Sequence, residues 1–202
     1  MRIKQVRKFF RLLARSAAVA SPLLACSVAS AQDGRNVLLV INSNSSSSDR
    51  IGAHYARARQ IPPENIVRVK TEGGDEIDRE RYLREIEEPI FELIDQQKSQ
   101  DQILYIVLTK GLPLRISGTS GRSGNVASVD SELSLLYRKL TGMMHSTAGP
   151  LANPYHLDSA PVSDAKRFTH EFYDIYLVSR LDGFSEEDAI ALIDRSLSLI
   201  HI

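Results

Sequence analysis

Apolar residues arrive in short unbroken runs, separated by polar or glycine-bearing stretches and by segments of helical spacing. Asn36-Val37-Leu38-Leu39-Val40-Ile41 is continuous, as a strand buried on both faces requires. After the polar loop Asn42 to Ser48, Ile51, Tyr55 and Ala58 fall on one helical stripe; Ser48 or Asp49 is placed to cap this helix and Ile61-Pro62-Pro63 to stop it. Asn65 to Val69 predicts a second strand, and Gly73-Gly74 a break. A long amphipathic helix follows over about 78–98, with Tyr82, Ile86, Ile90, Leu93 and Ile94 inward, and Pro89 should kink or split it. Ile103 to Leu108 predicts a third strand, Val129 to Leu140 a helix, and Tyr173-Asp174-Ile175-Tyr176-Leu177-Val178 a fourth strand. A last helix opens on Ser185-x-x-Asp188, a capping box with Asp in place of Glu, and runs to the end of the chain. Strands alternating with helices predict an α/β fold, a mostly parallel sheet between two helical layers. The final pattern, Ser198-Leu199-Ile200-His201-Ile202, lacks a cap or closing strand, so the sequence is expected to be the amino-terminal part of a longer protein.

Charge changes this picture at one end. The 202 residues carry 25 Lys plus Arg against 25 Asp plus Glu, a net charge of zero. Residues 1–31 hold six of the bases (Arg2, Lys4, Arg7, Lys8, Arg11, Arg15) and no acid, which leaves residues 32–202 at −6. The basic stretch precedes a short apolar run, Ala17 to Ala25, and then Ser27-Val28-Ala29-Ser30-Ala31. This is the layout of a secretory signal peptide cut before Gln32, with residues 32–202 as the α/β domain. The apolar run is shorter than the roughly 20 residues a membrane-spanning helix needs. Leu23-Leu24-Ala25-Cys26 also resembles a lipid-attachment motif, which would anchor the chain at Cys26; Lys8 departs from a twin-arginine pair. Either cut places the protein outside the cytoplasm, in the periplasm or beyond. Cleavage after Ala31 removes the single cysteine, so the mature chain has no disulfide and no thiol nucleophile. An acidic body without a basic, aromatic-interleaved stripe argues against nucleic-acid binding. The partners that the address makes available are those of the cell envelope.

In open parallel sheets, ligands bind beyond the carboxyl ends of the strands. The polar residues predicted there are Asn42, Ser43 and Asn44 after strand one, Lys110 and Arg115 after strand three, and Arg180 and Asp182 after strand four. The same residue types also cap helices and close turns. A single site requires the loops at 42–48 and 109–115 to meet at one edge. Asp130 and Glu132, two positions apart, would share a face in a strand and could do acid–base work, but diverge in a helix, where they instead suit a first turn. Arg180-Leu181-Asp182-Gly183 is also a turn signal, with Gly183 expected at positive φ.

Other chemistry is argued against. His170-Glu171-Phe172-Tyr173-Asp174 imitates a His-Glu-x-x-His zinc motif but ends in Asp and leads into a strand, so no metal site is expected. Gly118, Gly121 and Gly124 form neither a phosphate-binding loop nor a dinucleotide fingerprint, and no cofactor is expected. No Gly-x-Ser-x-Gly elbow occurs.

Several segments together resemble an uncharacterised secreted bacterial family found in species that carry exosortase. They are residues 36–44, Ile51-Gly52-x-x-Tyr55-Ala56-x-x-Arg59-x-Ile61-Pro62-x-x-Asn65-Ile66, the stretch from Ile103 to Arg115, Ala127 to Leu133, Asn153-Pro154-Tyr155 and Leu177 to Phe184. The resemblance spans nearly all of residues 32–202 and implies a longer protein without an assigned reaction. A more distant likeness, in the strand–helix order and in Ser179-Arg180-Leu181-Asp182 followed by Glu186-Glu187, is to gingipain-type peptidases and the caspase-like fold. It implies that this chain is the non-catalytic half of such a hydrolase, with the peptidase His and Cys in a later subdomain. The rivals are a cell-envelope binding module without chemistry and a hydrolase that uses Asp130 or Glu132.

Overall fold

A computed structural model describes residues 32–118, 127–143, 156, 159 and 161–198. The expected signal peptide and Cys26, together with Gly121, Gly124, His145 and Asn153 to Tyr155, lie outside the described residues.

The protein is α/β, with a four-stranded, wholly parallel sheet flanked by helices. In chain order the elements are β1 (Val37–Asn42), α1 (Ser46–Arg59), β2 (Ile66–Val69), β3 (Glu76–Asp78), α2 (Arg79–Tyr82), a π-helical turn (Leu83–Glu87) and α3 (Glu88–Gln97). They continue with β4 (Tyr105–Thr109), β5 (Arg115–Ser117), β6 (Ala127–Ser128), α4 (Val129–Ser134), α5 (Leu136–Leu140), β7 (Leu177–Leu181) and α6 (Glu186–Ser198). The main sheet has the order β2-β1-β4-β7, and β3, β5 and β6 form a second, smaller sheet.

The unbroken apolar character of β1 follows from its central place. Leu38 and Val40 face a core shared with Ile86, Ile90, Ile94 and Leu133. Leu39 and Ile41 face the opposite core, shared with Ile51, Ala189 and Ile193. Thus α1 and α6 cover one face, and α3 with α4 the other. The chain winds outward from β1 to β2, then returns past β1 to β4, so β1 and β4 flank the point where the winding reverses.

Helices α1 and α6 run side by side, joined by Arg50 to Glu186, His54 Nε2 to Asp194 at 2.7 Å, and Arg59 to Ser196 at 2.8 Å. The capping box of α6 forms as expected: Asp188 N–H donates to Ser185 Oγ (3.1 Å) and Ser185 N–H to Asp188 Oδ2 (3.0 Å).

The structure corrects several boundaries. The cap of α1 is Ser45, whose Oγ accepts from Ser48 N–H at 3.2 Å. At Pro89 the long helix is interrupted by a widened, π-helical turn (Leu83–Glu87) between α2 and α3, with Glu88 N–H reaching back five residues to Leu83 C=O. Proline lacks an N–H and its ring crowds the carbonyl four residues back, so a wider turn relieves both conflicts. The fourth strand begins at Leu177, four residues later than the apolar run suggests. Ile175 and Tyr176 are buried in side-chain packing instead, and Tyr176 N–H bonds to Ser134 C=O. Gly183 is not at positive φ. Its constraint is space, since a Cβ there would stand 2.9 Å from Asp188 Cβ.

Candidate functional site

The loops after β1, β4 and β7 meet at the carboxyl edge, as a single site requires. Asn42, the last residue of β1, is 1% exposed and ties its own loop to those after β2 and β4. Its Nδ2 donates to Thr71 C=O (3.1 Å) and Gly111 C=O (2.8 Å). Its Oδ1 accepts from the N–H groups of Asn44 (3.1 Å) and Thr71 (3.2 Å). All four hydrogen-bonding positions of the side chain are therefore used inside the protein. Ser48 Oγ accepts from Asn42 N–H (2.8 Å) and lies 2.5 Å from Thr109 Oγ1, which donates to Val40 C=O. Both hydroxyls are fully buried. Gly111 sits at φ +93°, where side chains are strained, and lets the β4 loop close onto Ser45. Ser43 and Asn44 reach the surface, but Asn44 Nδ2 also turns back to Thr71 C=O at 3.3 Å.

The charged candidates are paired as well. Lys110 Nζ donates to Asp182 Oδ1 (2.9 Å) and Gly183 C=O (2.6 Å). Arg180 grips Asp130 through Nε (2.8 and 3.1 Å) and donates to the carbonyls of Leu112 (3.0 Å) and Pro113 (2.6 Å). Glu132 accepts from Arg79 Nη2 at 2.9 Å. Asp130 and Glu132 lie in the first turn of α4 and go to different arginines, so they do not act as a pair. Arg115 is exposed on β5, 3.9 Å from Glu76, in the smaller sheet and apart from the Asn42 cluster.

Burial pushes the Asp182 carboxyl up, but the bonds from Lys110 and the Gly183 N–H outweigh it and hold the group below the usual carboxylate value. A depressed folded pKa contributes stability at neutral pH that is lost as pH falls through it. The gap in urea midpoint between the parent and Asp182→Asn should therefore be present at pH 7 and close only below pH 3.8, a small effect because the pair is partly exposed. A gap that does not change with pH would refute this assignment.

One polar cluster escaped sequence reasoning. Glu87, at the end of the π turn, is 8% exposed and takes Lys139 on one oxygen; its Oε2 and the buried Tyr82 hydroxyl make no hydrogen bond. Burial foremost, then the carboxylates of Glu87 and Glu132, holds the Tyr82 hydroxyl well above its usual range. Each of these residues falls on or beside an amphipathic stripe, so no local signal separates them from ordinary helix surface. The zinc-motif imitation is also resolved: His170 places Nδ1 3.1 Å from Tyr173 C=O and Nε2 2.7 Å from Ile103 C=O, and it stacks on Tyr137. Among the described residues, no group of three metal-ligating side chains converges and no helix is long and apolar enough to cross a membrane.

A cavity with a volume of about 750 Å3 lies elsewhere, at the amino ends of β1 and β4 on the α1 face. The fold and carboxyl edge thus define a doubly wound α/β module whose usual ligand crevice is tied shut by its own side chains. Comparison with protein-family models, curated proteins and solved structures finds no match to this chain.

Proposed function

We propose that this chain is exported, belongs with the secreted family of exosortase-carrying bacteria, and serves as the non-catalytic half of a caspase- or gingipain-like hydrolase. The observation that carries this reading is the state of the carboxyl edge. Asn42, Lys110, Asp182, Arg180 and Asp130 are all spent on one another or on loop carbonyls. The hydroxyl pair there, Ser48 and Thr109, is fully buried, and among the described residues its hydrogen bonds go to each other and to backbone groups, not to a base. A nucleophile needs both access and an adjacent base. The basic, acid-free leader supports export. The parallel order β2-β1-β4-β7 agrees with the strand–helix succession that the likeness implies.

The test is peptide hydrolysis by the complete exported protein, compared between the parent and Lys110→Met and Asp182→Asn variants. Turnover per folded molecule should be unchanged in both. Turnover abolished in a variant that melts with the parent would make the pair catalytic and overturn the reading. Absence of turnover in the parent would instead favour the second reading, an envelope-binding module. That reading has its own observation, because Phe184 is wholly exposed beside the Lys110–Asp182 pair.

A further inference from the structure

The cavity at the amino ends of the strands lies at the opposite edge of the sheet from the Asn42 cluster. Its volume, about 750 Å3, falls in the range of small-molecule sites. Its apolar wall comes from Val37, Ala58, Val107 and the rings of Tyr55 and Tyr105. The wall is held in place: Tyr105 Oη donates to Gln32 Oε1 at 2.5 Å, and Gln32 Nε2 donates to Phe168 C=O at 2.7 Å. Gly34 closes one end against α1, where a Cβ would stand 2.5 Å from Arg59 C=O.

Its charge is unbalanced. Asp33 and Arg35 neutralise each other in a two-pronged pair at 2.8–3.1 Å. The half-buried Arg59 donates to a neutral group, Ser196 Oγ, at 2.8 Å. Among the described residues no carboxylate pairs with it. Ser179 adds a hydroxyl that bonds to nothing among the described residues. A guanidinium carries five donors, so Arg59 retains free N–H groups beside an apolar, aromatic wall.

We propose that this cavity binds a small organic carboxylate, with the anion paired to Arg59 and the apolar body lying against Val37, Tyr55 and Tyr105. The planar fork of arginine matches a carboxylate, and a single uncompensated positive charge matches a monoanion. Such a carboxylate could belong to a free acid or to the end of a peptide. Binding to the purified full chain is followed by NMR shift titration with two pairs of probes. Benzoate is compared with benzamide, and N-acetylphenylalanine with N-acetylphenylalaninamide.

Each acid that binds should do so at least tenfold more tightly than its amide, and Arg59→Met should weaken it about tenfold, the equivalent of one ion pair of about 1.4 kcal/mol. Binding of N-acetylphenylalanine alone supports the proposal with a peptide end as its source; binding of benzoate supports it for free acids. Thermal melting checks the fold of the variant, and Ala58→Trp, which fills the cavity without touching the charge, should block the same probes. Acid and amide binding alike, acid binding that survives both substitutions, or no binding of either acid at millimolar concentration would overturn it.

Discussion

Asn42→Asp should lower the melting temperature by about 12 °C, corresponding to about 4 kcal/mol at the 2–4 °C per kcal/mol of a domain this size. The substitution is nearly isosteric and changes one atom's role. The amide Nδ2 that now donates to Thr71 C=O and Gly111 C=O becomes an oxygen facing two oxygens. At 1% exposure the new carboxylate has no water to turn to. Protonation would restore one donor, so the deficit should shrink as pH falls and grow as it rises, the sign for a group whose folded pKa is raised. Asn42→Leu removes all four bonds without adding charge, so its cost should be similar but flat with pH. Melting curves from pH 4 to pH 8 distinguish the two. A variant that melts within a degree or two of the parent at pH 8 would mean that the amide is not the tie between the loops, and would return Asn42 to the list of free ligand groups.

How much of this was legible in the sequence depends on the range of the interactions. Strands β1 and β4 were readable because a strand covered on both faces must be apolar at every position, a signal six residues long. Strand β7 was misplaced by four residues because it lies at the end of the strand order: Leu177-Val178-Ser179-Arg180-Leu181 mixes polar and apolar positions, and the more apolar residues before it pack around Tyr137 and Leu104. The smaller sheet was missed because strands of two or three residues carry no periodicity. The chemistry-bearing residue types at the carboxyl edge were legible, but their partners were not. Asn42 finds Gly111 across 69 positions, and Lys110 finds Asp182 across 72. Polar residues at strand ends look the same in sequence whether they await a ligand or close on one another. The cavity at the opposite edge had no signal at all, since its walls come from the turn at Gly34, helix α1 and three strands that only the sheet order brings together.

Arg180→Leu is the second substitution expected to be severe, at about 3 kcal/mol, and it separates the structural from the catalytic assignment of the carboxyl edge. Arg180 is 13% exposed and joins three parts of the fold: its own strand β7, the first turn of α4 through Asp130, and the loop after β4 through Leu112 C=O and Pro113 C=O. Removing the guanidinium leaves two carbonyls and a carboxylate without their donor, and stranding a partner costs more than the pair itself contributes. Asp130→Asn alone should cost less, because Asp130 is about a third exposed and its site at the start of α4 admits water. In the double variant the second change should add little to the first, since each removes the same interaction. Urea unfolding of the four proteins gives the coupling directly. Strictly additive losses would mean that Arg180 and Asp130 act independently, leaving Asp130 available for acid–base work. A non-additive cycle fixes Asp130 as the counter-charge of an arginine clamp rather than a free acid–base group.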